Sequence, residues 1–272
     1  MTTFVAAKCP NCGGDLQVPT NRDSVKCMYC SGDVLLRRPG SAAPGGSVQN
    51  WMKLAHAALD AGNHEEVLSN TNKVLEVEPH NHDAWFLKGI ASGWLSNLAN
   101  CRLGEMTSIM RQAIAYAPPD IVAEVKEMSA VMINDAAVGY NDMACRHLRE
   151  FVTVDGVWPE FIDQTGAAFE ALDAAHEINP KNKMVIQNII RILTDLINGV
   201  AYNDTDSLGR FTRRVHRLKA DYSMKMTVLK QEYETKLQAL DPSYKAPEVK
   251  KAKVGTGHII LTIMRLFGLT RF

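Results

Sequence analysis

The sequence predicts a mainly α protein: an irregular array of stacked helix hairpins, preceded by a small β module and followed by a long helix. Three observations carry this. Four of the six cysteines crowd into residues 9–30 as two identically spaced pairs. Apolar and small residues repeat at a 34-residue period from Trp51. Beyond residue 205, apolar residues recur at spacings of three and four as far as Leu240, the period of an amphipathic helix.

The β module comes first. "KCPNCGG" and "KCMYCSG" place Cys9 with Cys12 and Cys27 with Cys30, with 14 residues between the pairs. Two residues between thiolates let both sulfurs point into one turn, and two such turns supply the corners of a tetrahedron, which suits Zn²⁺. Gly13 and Gly32 follow the pairs and permit the positive φ that such turns need. "DLQV", "SVKC" and "DVLLRR" read as the short strands around them. A module of this size buries too little surface to fold alone, so a metal would supply most of its stability, on the order of 10 kcal/mol. A redox dithiol needs one pair in a βαβ setting, not two pairs.

The stretch 7–38 resembles a zinc ribbon. The resemblance implies that Cys9, Cys12, Cys27 and Cys30 hold one structural Zn²⁺ in a closed site, with no position for a reacting water. Zinc ribbons bind nucleic acid or protein, or cap a larger domain. Here Lys8, Arg22, Lys26, Arg37 and Arg38 face Asp15, Asp23 and Asp33. That is a thin electrostatic footprint for phosphates, so protein contact is the favoured expectation.

"RPGSAAPGGS" has no periodicity, so residues 39–47 read as a flexible linker. A helical domain follows over 48–204. Trp51, Leu54, Ala55 and Ala58 begin one helix, Gly62 closes it, Val67, Val74 and Leu75 lie on a second, and Pro79 ends the pair. Trp85 lies 34 residues after Trp51, and Gly89 lies 34 after Ala55. Such self-similarity marks stacked hairpins.

These units resemble tetratricopeptide (TPR) repeats. Residues 48–81 form the first. The second starts at His82 and closes late, at "QAIAYAPPD", so it carries an insertion. "AAFEALDAAHEINPKNK" is a third closing half, whose opening half could start at Trp158-Pro159. Residues 119–152 read as one long helix outside the pattern, through Val125, Met128, Met132, Tyr140 and Met143. The resemblance implies a groove lined by the first helix of each hairpin, here Met52, His56, Leu59, Phe86, Ile90 and Trp94. These are mostly apolar and suit an amphipathic helix or extended apolar peptide; the alternative is that they pack as core. The basic-plus-Asn clamp for a peptide carboxylate is missing, since Met52 and His56 stand in its place.

Residues 205–241 read as a long basic helix, through Leu208, Phe211, Val215, Leu218, Tyr222, Met226, Leu229, Tyr233, Leu237 and Leu240, with Asp206 as N-cap and Pro242 as stop. Its apolar stripe is expected to pack on the helix 119–152. Alternatives are homodimerisation through the stripe, or phosphate binding by Arg210, Arg213, Arg214 and Arg217. Residues 242–272 form a Lys-rich linker and an apolar, basic tail, "IILTIMRLFGLTRF". The tail is too short to span a bilayer. It reads as a packed helix, an interfacial membrane anchor, or a ligand for an apolar groove.

Charge is unevenly placed along a chain whose net charge is zero. Residues 41–204 carry 11 Lys/Arg against 21 Asp/Glu, and residues 205–272 carry 14 against six. Residues 1–40 carry five Lys/Arg against three Asp/Glu, and an acidic middle between basic ends suggests that the ends fold back or meet an anionic partner; the alternative is that each is a solvated face. "MTTFVAAKCPNC" lacks the apolar run of a signal peptide, so reduced thiols and a cytoplasmic location are expected.

No nucleophile–base pair stands out, and no enzyme activity is expected. Cys101 and Cys145 are lone residues on helical stretches, expected to be buried. His80, His82 and Asp83 could bind a second metal, but they sit at an inter-repeat turn where Asn and Asp serve as N-caps. The expected function is a non-enzymatic protein-interaction adaptor. The rivals are a nucleic-acid-associated regulator using ribbon and arginines, and a membrane-surface adaptor held by the tail.

Overall fold

A computed structural model of the chain describes residues 4–8, 15–19, 24–29, 33–35, 47–205 and 209–246. Cys9, Cys12, Cys30, most of the linker, Asp206, expected as an N-cap, and the tail beyond 246 lie outside the described residues. The chain divides into two compact units, Met1–Trp51 and Met52–Phe272.

In the first unit, β1 (Phe4–Lys8) pairs antiparallel with β2 (Asp15–Pro19), and β3 (Ser24–Lys26) pairs antiparallel with β4 (Asp33–Leu35). The two hairpins are equivalent in register. Lys8 stands opposite Asp15, and Lys26 stands opposite Asp33. Each register brackets one cysteine pair, so "KC..C.GD" occurs twice, once per hairpin.

The second unit is an irregular TPR-like helical array. α1 (Val48–Asp60) ends at Gly62, whose φ of +72° is the left-handed turn that favours glycine. α2 (His64–Val77) and α3 (His82–Trp94) both start on an asparagine. Asn63 Oδ1 accepts from the Glu66 amide at 3.2 Å, and its Nδ2 donates to Glu66 Oε2 at 3.0 Å. This reciprocal pair satisfies two polar groups at the helix start. Asn81 Oδ1 accepts from the Ala84 amide at 2.9 Å. The 95–102 segment between α3 and α4 (Leu103–Tyr116) is the insertion expected in the second unit.

Close helix approach is built on small residues. A Cβ at Gly89 would lie 2.9 Å from Met110 Sδ, and one at Gly93 would meet Met106 Sδ more closely still. α5 (Val122–Glu150) is the long helix expected over 119–152, and it packs on α6 (Val157–Ile178). Ala130, Ala137 and Ala144 of α5 and Ala168 and Ala175 of α6 are fully buried in this core. Trp158-Pro159 lies in the first turn of α6, so it starts the closing helix of the third hairpin; α5 is the opening one. α7 (Lys183–Asn198) is capped by Asn182, which accepts from the amides of Met184 and Val185 at 3.1 and 3.3 Å. "EINPKNK" before α7 matches "EVEPHNH" before α3, so α7 opens a further unit.

The single helix expected over 205–241 is not what forms. β5 (Val200–Thr205) and β6 (Phe211–His216) make an antiparallel hairpin, and α8 begins only afterwards (Ala220–Leu240). Gly199 at φ +68° and Gly209 at φ +76° bracket β5 and the turn. A Cβ at Gly199 would collide with the His216 carbonyl. Val200, Tyr202, Thr205, Phe211, Thr212 and Val215 are strand formers. Phe211 and Val215, four apart, share one face of β6 and satisfy a helical spacing by coincidence. One of its faces carries Thr212, Arg214 and His216. The His216 ring stacks 5.5 Å from Trp158 and 4.6 Å from Tyr202, and its Nε2 lies 2.8 Å from the Val152 carbonyl oxygen.

α8 packs on α7, and reaches α6 through the bond Tyr233 donates to Asp173, rather than lying along α5. The reason is α7, whose Val185, Ile186, Ile189, Ile192 and Leu193 are almost entirely removed from water and need a second cover. Tyr233 and Leu237, from the stripe considered for homodimerisation, are buried within the chain.

Candidate functional site

Two places hold the predicted site residues. In the β module β1 ends at Lys8 and β3 at Lys26, the residue before the first cysteine of each pair. Cys27, the described member of the four, is 1% exposed. The Tyr29 amide donates to Cys27 Sγ at 3.4 Å. An amide two residues on, aimed at sulfur, stabilises the thiolate form that a metal needs. Among the described residues no three His, Cys, Asp or Glu side chains gather as a metal site; three of the four expected ligands lie outside them. At the inter-repeat turn, His80 packs on the Tyr116 ring at 4.6 Å, and Asn81 is occupied as the N-cap.

The second place is the face formed by the opening helices. Of the groove residues implied by resemblance, Trp94 is 47% exposed and His56 is exposed. Met52 and Leu59 pack half-buried against Ala55, Ala58, Val67, Leu87 and Ala91. Phe86 is half-buried against the main core. Ile90 is a core residue, 6% exposed, and supports the face from behind instead of lining it.

The sequence reading missed the part of this face that α5 supplies. Glu124, Met128, Val131, Asp135, Gly139, Asp142 and Arg146 recur at spacings of three and four, and none of them is buried. They run along one side of a 29-residue helix, about 43 Å long. α3 flanks this side: a cleft of about 300 Å³ is lined by Trp94, Ser96, Ala136, Gly139, Tyr140, Met143 and Arg146. A Cβ at Gly139 would stand 3.9 Å from the Trp94 ring. A further hollow of about 360 Å³ runs over Glu124, Glu127, Met128, Val131 and Met132. α7 flanks the other side, through Asn188 Nδ2 donating to Asn134 Oδ1 at 2.8 Å and Arg191 pairing with Asp142 at 3.3 Å. Methionine and tryptophan in such a setting offer adaptable apolar contact.

Burial pushes the Cys145 thiol up, and the neighbouring Asp195 adds to it, the opposite of an activated nucleophile. Burial also pushes the Asp195 carboxyl up, against the pull of Arg191 and Arg149. The Tyr140 phenol is pushed up to about 12, chiefly by burial and then by Cys101. Cys101 itself is exposed, contrary to expectation, because it lies in the inserted segment rather than on a helix; Cys145 is half-buried.

The four arginines considered for anion binding do not form one patch. Arg213 and Arg214 point to opposite faces of β6, as alternate strand residues must. Arg214 Nε is held by Asp204 at 3.0 Å. Arg210 precedes the strand and Arg217 follows it. Phe211, between the first pair, is 86% exposed. No helix among the described residues is long and apolar enough to cross a membrane.

No protein-family model matches the chain, and no curated protein matches its sequence. Among solved structures, the chain is similar to a MamA RS-1 ArsTM double mutant at 12% identity and a TM-score of 0.27, over 74% of this chain and 98% of that one. It is similar to MamA 41-end from Desulfovibrio magneticus RS-1 at 13% identity and 0.26, over 75% and 99%. A third MamA structure matches at 11% and 0.26, over 74% and 97%. Superposition at that level identifies no family, and the description of the fold rests on the helices themselves.

Proposed function

We propose that the protein is a non-enzymatic interaction adaptor: a peptide-binding helical face on α3, α5 and α7, joined to a zinc ribbon that serves as a second docking point. The observation that carries this is the line of apolar side chains along α5, Met128 exposed and Val131 and Met143 half-buried, with exposed Trp94 of α3 beside it. The first half of this line, where Glu124 and Glu127 flank Met128, Val131 and Met132, suits an apolar segment bearing basic residues; Arg146 lines the Trp94 end. In the ribbon, Cys9, Cys12, Cys27 and Cys30 would hold one Zn²⁺. The Tyr29 amide bond to Cys27 and the doubled Lys–Asp register support that arrangement. The metal would organise the module and supply no reacting position.

Site-directed photocrosslinking tests the face. A benzophenone side chain in place of Met128 is expected to trap partner peptides, and the same group in place of Gln231, exposed on α8, is not. Equal trapping at both positions, or none at either, would remove the assigned face.

A further inference from the structure

We propose that the segment 258–272, "HIILTIMRLFGLTRF", occupies the α5 groove of its own chain and competes there with outside peptides. This rests on the reading of that groove as a peptide-binding face.

Placement comes first. After α8 the described chain runs to Ala246. Tyr244 and Lys245 line a cleft of about 460 Å³ with Gln187, Ile190, Arg191 and Asp195 of α7. Arg191 pairs with Asp142 of α5, and Asn188 bonds Asn134. The chain therefore leaves the body near the α7 residues that meet Asp142, at the start of the last third of α5. From Asp142 back to Met128 is 14 residues, about 21 Å along the helix. The 13 residues from Ala246 to Ile259 reach up to about 45 Å. The linker spans the distance with slack.

Chemistry comes second. The groove presents Met128, Val131 and Met132 beside Glu124, Glu127 and Asp135. The segment offers Ile259, Ile260, Leu261, Ile263, Leu266 and Phe267 with Arg265 and Arg271, and no carboxylate side chain. Apolar faces meet and charges are complementary.

A tether of this length gives an effective concentration of about 1 mM. A free peptide with a Kd of about 100 μM would then bind the full chain about tenfold more weakly than a chain lacking the segment. The experiment uses a fluorescent synthetic peptide of residues 255–272, the full chain, and a chain ending at residue 254. Saturable binding to the shortened chain, weakened about tenfold in the full chain and lost with Met128→Asp, is expected. Hydrogen exchange needs no variant of α5: amides over 124–143 should exchange more slowly in the full chain, independently of protein concentration. No binding to the shortened chain, equal binding to both, or exchange protection that grows with concentration would overturn the proposal. The last outcome would place the segment on a second copy, and flotation of the full chain on anionic vesicles without peptide binding would place it on lipid. Trapping of outside partners at position 128 with no binding of this peptide would sink the inference and leave the proposed function standing. Peptide binding without any outside partner would do the reverse.

Discussion

The side-chain amide of Asn188 donates to that of Asn134 at 2.8 Å, across the seam between α7 and α5. Asn134 is 2% exposed, and its own Nδ2 donates to Asp135 at 3.0 Å. The bond fixes how two opening helices sit beside each other, and so fixes the wall of the groove.

Removing it leaves a buried acceptor without its donor. Asn188→Ala is expected to destabilise the helical unit by about 1–3 kcal/mol. The urea midpoint of the far-ultraviolet helical signal measures this. A midpoint unchanged from the parent protein would show that the bond contributes nothing to the seam.

Glycines in two helices should respond in opposite directions. Gly93 on α3 has Met106 pressed against it, and Met106 is fully buried. Gly93→Val is expected to cost about 1–3 kcal/mol through overpacking. Gly166, inside α6, has nothing within 4 Å of a Cβ. Gly166→Ala should stabilise by about 0.5–1 kcal/mol through helix propensity. A Gly93→Val variant as stable as the parent protein would mean that α3 and α4 are not in the close contact described, and a destabilised Gly166→Ala would contradict the open space beside α6.

Tyr140 sets an alkaline limit. Its folded pKa is raised from 10.0 to about 12, so the fold favours the neutral phenol. Below the unfolded value both states keep the proton and the contribution is complete. Between the two values the unfolded chain ionises first, and stability falls as pH rises. Urea titrations at about pH 8 and about pH 11 should show a smaller loss in Tyr140→Phe than in the parent protein. An identical loss in both would refute burial as the cause.

The zinc assignment predicts one ion per chain by elemental analysis of metal-replete protein, and loss of that ion in Cys27→Ser. Because such a module has little core, chelation should also erase the protection of the β1–β2 and β3–β4 amides against exchange. Protected hairpin amides in a metal-free chain would contradict the assignment.

Much of this fold was legible where local chemistry and tertiary packing agree. Trp51 with Trp85, and Ala55 with Gly89, announce the first hairpins, because the same small-residue contact recurs in each. The long α5 was legible because its buried stripe keeps one period for 29 residues. The β5–β6 hairpin was not, since Phe211 and Val215 satisfy a helical spacing by coincidence; Gly199 and Gly209 were the signals that could have exposed it. α7 was missed although Pro180-Lys181-Asn182 repeats the pattern of Pro79-His80-Asn81. Among the residues implied by resemblance, Trp94 is exposed, but resemblance could not tell that Ile90 turns inward. Met128 was read as helix stripe alone. Which side of a long helix stays uncovered depends on neighbours that spacing does not reveal.

The most direct measurement is the affinity of a partner segment, identified by trapping at position 128, for the chain ending at residue 254 and for its Trp94→Ser variant. The account predicts at least a tenfold loss, about 1.4 kcal/mol, with an unchanged melting profile. Equal affinity for both chains would contradict it.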